Sequence, residues 1–478
     1  MRIVHAASEV YPYIKTGGLA DVVGALAAAL AACGHEVTVF LPGYRAVLES
    51  PLLAGAERTG RVTARLDGVD LVGDVHVLRP RPGLTLKVIA RDEFFDRRHL
   101  YWNGERDYDD NDARFIFFCQ AVVECLRGDG RPADVVHGHD WQTGLLPLLL
   151  RHTEQRSGVT LAARTVFTVH NMIYQGVFPR RSFRLTNLHQ SLNSMDGIEY
   201  YDHISTLKAG LMYADRVTTV SPHYAREIQT PEHAYGLDGV VRFRAGALRG
   251  IRNGIDRSVW NPATDEFLPA RYDHGALAGK AVCRAAMLRR FGWAEDFTGP
   301  VFAIISRITE AKGHDLLLGA AGYFPRHACR LIVLGTGERK FEEAYRTLAG
   351  AHPALIAFEN RFDEPLSHLV MAGADFFLMP SRTEPCGLTQ MYAQNYGTVP
   401  LAGAVGGLVD TVTDAEARPE EGTGLMFKPT AAGLVRALGR ARKLFADPVS
   451  YAAVQQRGMT RDFSWDSVVG EYERLYGD

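Results

Sequence analysis

Residues 2–41, RIVHAASEVYPYIKTGGLADVVGALAAALAACGHEVTVFL, decide the fold. Arg2–Ala7 has the length of a short buried strand, and Glu36–Leu41 is a second. Gly17 and Gly18 close the loop between them, and Asp21–Cys33 reads as a helix. Strand, helix and strand make one βαβ unit, which predicts a parallel sheet. Further strands end at Val135-Val136, Thr165–Val169 and Arg216–Val220, each leading into a polar or Gly-bearing turn, with a helical stretch at Asp112–Arg127 among them.

The same grammar recurs in the second half. Val301–Ser306 is a strand, Lys312-Gly313 close a loop, and His314–Gly322 begins a helix. Arg330–Leu334, Ala354–Glu359, Phe376–Met379 and Val399–Leu401 are further strands. Two such halves, joined around Ile251–Pro262, predict an α/β chain of two Rossmann-like, doubly wound domains facing a central cleft. Ligands of such sheets bind beyond the carboxyl ends of the strands. The first domain is expected over 1–252 and the second over 253–457. Where Phe463-Ser464-Trp465 and the helix after it dock stays open.

Composition narrows the function. At roughly 150 residues per domain, 478 residues hold two or three domains. Lys plus Arg against Asp plus Glu is 53 − 55 = −2, which offers neither a nucleic-acid footprint nor a polybasic membrane anchor. Val22–Cys33 and Leu145–Leu150 are too short to span a bilayer, and Glu9 and Lys15 interrupt any signal-peptide core. Cys33, Cys119, Cys125, Cys283, Cys329 and Cys386 show no C-x-x-C spacing, so buried free thiols in a reducing cytoplasm are expected. Only eight of the 53 basic residues are Lys, so a Lys beside Gly stands out.

Five segments carry chemistry. Lys15-Thr16-Gly17-Gly18-Leu19 precedes a helix, where bare amides, helix dipole and ammonium suit an anion; a Gly-rich turn with a solvated Lys is the alternative. Arg307 and Lys312 lie five residues apart on one loop and can converge on a diphosphate, or can simply be solvated. Pro385 biases Glu384 toward an extended backbone at a strand end, and the amides of Gly387, Leu388 and Thr389 open a helix; a Glu answering the helix dipole is the competing reading. In His137-Gly138-His139-Asp140-Trp141, no third His or Cys joins at ligand spacing, so Trp141 with Asp140 reads as a sugar-binding pair rather than a metal site. His170 ends a strand and is either a core histidine or a functional one. No dinucleotide fingerprint, P-loop or Gly-x-Ser-x-Gly is present.

The order of KTGGLADVVGAL, HGHDWQTGL, FTVHNMIYQG, LKAGLMYADRVTTVSP, RNGID, SRITEAKG, SRTEPCGLTQMYAQNYGTVP and the final DFSW resembles bacterial glycogen synthases and their relatives, the starch synthases. The resemblance covers essentially the whole chain. It implies the GT-B fold, with a C-terminal helix over 458–478 crossing back to the first domain. It also implies transfer of glucose from ADP-glucose to the non-reducing end of an α-1,4-glucan such as glycogen, with retention, no metal and no cofactor. By the same resemblance Lys15 and Gly18 face the donor's phosphates and glucose, and Arg307 and Lys312 hold the departing diphosphate. Glu384 contacts glucose hydroxyls, with Cys386, Gly387, Leu388 and Thr389 beside the phosphate. His170 lies beside the anomeric carbon, Asn253 joins the donor pocket, and Glu9, Tyr108, Asn111, Asp140 and Trp141 are acceptor-side groups. Relatives often carry a Tyr for adenine stacking where this chain has Phe362.

Retention by double displacement needs a carboxylate beside the reacting carbon. The candidate there is His170-Asn171, with no adjacent carboxylate, so same-face substitution is expected, the leaving phosphate oxygen taking the acceptor's proton. Rival readings are a UDP-glucose-dependent GT-B glucosyltransferase, a sucrose-forming or phosphorylase-like enzyme, and a catalytically silent glucan-binding relative.

Overall fold

The computed structural model describes residues 1–477 and divides into two compact units, Met1–Gly254 together with the segment from Trp465 onward, and Ile255–Ser464. The return therefore falls at Trp465 rather than 458. Up to that point the chain is still tied to the second unit: Arg461 Nη1 donates to Thr411 O at 3.1 Å, and Ile255 N to Phe463 O at 2.8 Å.

In the first unit a nine-stranded sheet runs in the order Leu248–Gly250, Arg216–Thr219, Ala162–Val169, Ala133–His139, Arg2–Ala6, Glu36–Pro42, Leu84–Ala90, Val69–Arg81, Glu57–Leu66. Its first seven strands are parallel, and Arg2–Ala6 is buried throughout because helices cover both faces. The last two strands are antiparallel, and along Glu57–Leu66 Val62, Ala64 and Leu66 are buried while Arg61, Thr63 and Arg65 face water. Strand order reverses between Arg2–Ala6 and Ala133–His139, which makes their carboxyl ends the natural ligand edge. The first helix spans Gly18–Ala32, three residues earlier than Asp21, because Leu19 continues the buried stripe of Val22, Val23, Leu26 and Leu30. A small three-stranded sheet, Val177–Pro179, His203–Ser205 and Glu199–Tyr200, has no counterpart in the sequence reading.

The C-terminal helix Val469–Gly477 belongs to this unit's core through Val469, Tyr472, Leu475 and Tyr476. Tyr476 OH pairs with His137 Nδ1 at 2.8 Å beneath the sheet's carboxyl edge.

The second unit carries a six-stranded parallel sheet in the order Ile356–Glu359, Arg330–Leu334, Val301–Ile305, Phe376–Met379, Val399–Gly403, Leu425–Phe427. Numbered within the unit, that is 3-2-1-4-5-6, with the switch point between Val301–Ile305 and Phe376–Met379. All six cysteines are free, but Cys33 is exposed at its helix end and Cys125 only partly covered, so burial holds for the other four. No helix among the described residues is long and apolar enough to cross a membrane.

Candidate active site

Each unit gathers functional groups at its switch point. In the second unit, the loop after Val301–Ile305 bears Arg307 and Lys312, and the loop after Phe376–Met379 bears Glu384. Lys312 Nζ meets both carboxylate oxygens of Glu384, at 2.8 and 2.7 Å, and Ser381 Oγ donates to Glu384 Oε2 at 2.8 Å. Glu384 is buried, whereas Arg307, on the same loop as Lys312, is exposed. A buried carboxylate clamped by one ammonium and one hydroxyl has a fixed orientation, which is what a group that grips a substrate requires.

Glycines hold these loops together. Gly313 has φ +74° and lies so close to Pro380 O that a Cβ would overlap it, which brings Lys312 onto the neighbouring loop. Gly335 and Gly337 press in the same way on Ser306 O and Ile308 O, and Ile308 N donates to Thr336 O at 2.8 Å. Gly335-Thr336-Gly337 is therefore a brace for the Arg307 loop, a role its failed dinucleotide spacing hides. Gly406-Gly407, which sequence reading passes over, packs on Glu384 O and Cys386, with Gly407 N donating to Glu384 O at 3.0 Å. Gly387, at φ +71°, sits on the Gln390 side chain, whose Nε2 donates to Cys386 O and Gly387 O at 3.0 and 2.9 Å. Leu388 then caps the short helix Thr389–Asn395. Phe362 stands 81% exposed after the strand Ile356–Glu359, apart from these contacts.

Gly313→Ala should lower this unit's stability by about 1–3 kcal/mol, the cost of a strained left-handed residue plus the clash with Pro380 O. Urea unfolding followed by circular dichroism reads that loss; an unchanged midpoint would mean the loop relaxes freely and does not fix Lys312.

In the first unit, Lys15 is exposed, with Nζ 2.7 Å from Asp21 Oδ1 and 5.6 Å from the Tyr11 ring centre. Gly17 caps the helix with no side-chain hydrogen bond, so the amides at Gly18 are open to an anion. Glu9, expected on the acceptor side, is buried beneath this loop and takes hydrogen bonds from Thr16 N, from Thr16 Oγ1 at 2.7 Å and from Tyr101 OH at 2.6 Å. It thus positions the Lys15 loop. Asn111 is likewise committed inward, with Nδ2 donating to Tyr101 O at 2.9 Å and Oδ1 accepting from Arg114 Nη1 at 2.6 Å. The Tyr108 ring lies under Arg97 and Arg114, at 4.5 and 5.0 Å. Trp141 is partly exposed and framed by Phe115, Phe178 and Tyr101 at 4.9, 5.7 and 6.3 Å. Asn253 is buried, and its Oδ1 has no partner among the described residues.

Two sequence-level statements need correcting. Asp140 does adjoin His170: at φ +57° it turns back so that Oδ1 accepts from His170 N at 2.7 Å. Burial pushes its carboxyl up to about 7, against the opposing pull of the His170 and Asn171 amides. Nor do His137 and His139 stand alone. His5, His137 and His139 bring ring nitrogens within 4.8 Å of one another, and His170 joins through His139. These contacts join neighbouring strands far apart in sequence, so spacing carries no sign of them. The rings are engaged with protein groups: His137 and His139 stack at 4.1 Å and 27°, and both His137 nitrogens are taken, by Tyr476 OH at 2.8 Å and Thr168 Oγ1 at 2.6 Å.

Comparison with known proteins agrees with this architecture. Residues 2–243 match the family model of the starch synthase catalytic domain, and 289–456 match that of glycosyl transferases group 1. The chain is 58% identical to a glycogen synthase of Opitutus terrae, covering 100% of both, and 44% identical to one of Myxococcus xanthus, covering 100% of this chain and 99% of that one. It is similar, with a TM-score of 0.91 and 31% identity over 100% of this chain and 98% of the other, to the catalytic domain of starch synthase IV from Arabidopsis thaliana bound to ADP and acarbose. A sucrose-phosphate synthase from Thermosynechococcus elongatus, 20% identical with a TM-score of 0.61 over 99% of this chain and 98% of that one, shares the fold alone. The chain therefore belongs to the glycogen and starch synthase family of GT-B hexosyltransferases.

Proposed function

We propose that the enzyme transfers glucose from ADP-glucose to the non-reducing end of an α-1,4-glucan, with retention at the anomeric carbon. The observation that carries this reading is the Lys312–Glu384 clamp at the sheet's switch point, with Arg307 exposed on the same loop as Lys312. A departing nucleoside diphosphate needs cations on one side and its sugar needs an oriented carboxylate on the other. Support for the adenine nucleotide and the glucan comes from the starch synthase relative solved with ADP and acarbose.

In this reading Arg307 and Lys312 take up the leaving diphosphate's charge, and the amides of Gly387, Leu388 and Thr389 solvate a phosphate with Cys386 beside them. Glu384 accepts from glucose hydroxyls. Lys15, Gly18, His170 and Asn253 supply the first unit's contacts to the donor, and the unpaired Asn253 Oδ1 is an acceptor awaiting one. Phe362 offers an exposed face for a base. Trp141, Tyr108 and Asp140 serve the acceptor, with Glu9 and Asn111 acting behind them. No metal or cofactor is assigned to the reaction. Free thiols favour a cytoplasmic setting.

Same-face substitution remains the proposed route to retention. Asp140 Oδ1 is already committed to the His170 amide at 2.7 Å, which holds the buried carboxyl against the backbone and makes it an unsuitable site for a glucosyl ester. The decisive assay compares initial rates with ADP-glucose and UDP-glucose on glycogen, following nucleoside diphosphate release. Clear preference for ADP-glucose is expected. Faster turnover of UDP-glucose would reject the donor, and a kinetically competent glucosyl adduct trapped on Asp140 would reject the same-face route.

A further inference from the structure

Three imidazoles from three adjacent strand ends form a hydrogen-bonded file. His5 Nδ1 lies 3.0 Å from His139 Nε2, and His139 Nδ1 lies 3.1 Å from His170 Nε2. His5 and His139 are fully buried and His170 is 9% exposed. Burial holds His5 and His170 down to about 3 and His139 well below the usual histidine range. Each ring is therefore neutral near pH 7 and carries one ring proton.

Every contact in the file needs one donor and one acceptor, which leaves two proton arrangements. In the first, His5, His139 and His170 all carry the proton on Nδ1, and each bond points toward His170. In the second, all three carry it on Nε2, and each bond points toward His5. The inner end discriminates between them, because His5 Nε2 is buried with no partner among the described residues. A buried N–H without an acceptor and a bare buried lone pair both cost hydration, but an orphaned buried N–H is the rarer of the two in folded proteins, so the bare lone pair is favoured. The second arrangement strands an N–H there and the first only a lone pair. His170 Nδ1, which takes no partner among the described residues, then holds a proton to offer outward.

We infer that His139 is a positioning residue whose Nδ1–H, donated to His170 Nε2, fixes His170 in the Nδ1–H tautomer, so that its ring meets the glucosyl group as a hydrogen-bond donor to a sugar oxygen. The inference rests on the reading that His170 faces the donor sugar, and deepens it. A fixed neutral donor selects a hydroxyl or ring oxygen at that point and discriminates against sugars lacking it. His137 stays outside the file, with both nitrogens held by Tyr476 and Thr168, and braces the His139 ring by stacking.

The test begins with the unmodified enzyme. With 15N-labelled histidine, and with His170 resonances assigned by their loss in His170→Gln, long-range ring correlations should place the His170 proton on Nδ1. A proton on Nε2 overturns the inference whatever the activity. A proton on Nδ1 without any glucosyl transfer counts against the proposed function alone. Two isosteric substitutions add a kinetic arm. In His139→Asn the side-chain amide occupies the place of imidazole Nδ1 and still donates, so kcat should stay within about threefold of the parent. His139→Asp offers only an acceptor there; it should draw the His170 proton to Nε2 and lower kcat at least about tenfold. Equal kcat in the two variants, which a packing role would produce, overturns the inference. Should His139→Asp not fold, the parent spectrum and the Asn variant still decide.

Discussion

Lys312→Ala should lower kcat by about 10²–10³ while leaving the acceptor KM nearly unchanged. A preorganised contact to charge that develops in the transition state contributes on the order of 3–4 kcal/mol when the site is shielded from water. Lys312 is preorganised and partly shielded: its ammonium is fixed by both oxygens of a buried Glu384, Gly313 pins its loop to Pro380, and its side chain is 26% exposed. Removing it also leaves the Glu384 carboxylate with Ser381 as its remaining side-chain partner among the described residues. Glu384→Gln keeps the shape, removes the charge and should lose a comparable factor with the fold retained. Steady-state kinetics on both variants checks this; kcat intact with only acceptor binding weakened would show that the pair is not at the leaving group.

Acid should destabilise the first unit steeply below pH 6.5. His5 and His170 are held down to about 3, and His137 and His139 well below the usual range, each chiefly by burial. A depressed folded value means that the unfolded chain takes up protons first, so stability present above about 6.5 is lost as pH falls. Asp140 acts the other way. Its carboxyl, raised to about 7, keeps a proton in the fold that the unfolded chain gives up above about 4, so its contribution is full at low pH and fades as pH rises through 7. Near pH 5 the unfolded state therefore holds two extra protons, on His5 and His170, against the one that the fold keeps on Asp140, a net one, and His137 and His139 act in the same direction as His5 and His170. At 1.36 kcal/mol per proton and pH unit, that is a slope of at least about 1.4 kcal/mol per pH unit. Urea midpoints measured at pH 7, 6 and 5 read it, and His5→Phe should flatten the slope by about one proton. Midpoints independent of pH over that range would mean that these rings stay solvated and protonated in the fold.

Parts of the architecture were legible because their causes are local. Arg330–Leu334 and Phe376–Met379 have the bounds that their apolar runs indicate, since a strand covered on both faces reads as continuous hydrophobicity. The amphipathic stripe and glycine pair likewise revealed the first helix, although its start shifted to Gly18. Elements with weaker local marks were missed, among them the antiparallel pair Glu57–Leu66 and Val69–Arg81, whose exposed faces are charged. For Glu9 and Asn111 the family resemblance implied a place on the acceptor side, and their polar atoms are spent on Tyr101, Thr16 and Arg114.

By itself the sequence determined two doubly wound α/β halves, with Lys15, His170, Arg307, Lys312 and Glu384 each just past a strand, because hydrophobic period and glycine placement act over a few residues. Tertiary structure alone decided which of these groups touch. Lys312 closes on Glu384 across 72 residues, and His5 reaches His139 across 134, because strands adjacent in a parallel sheet are remote in the chain. The charge state of the buried histidines and of Asp140 was decided at that level too, since it depends on how much water the surrounding chain excludes.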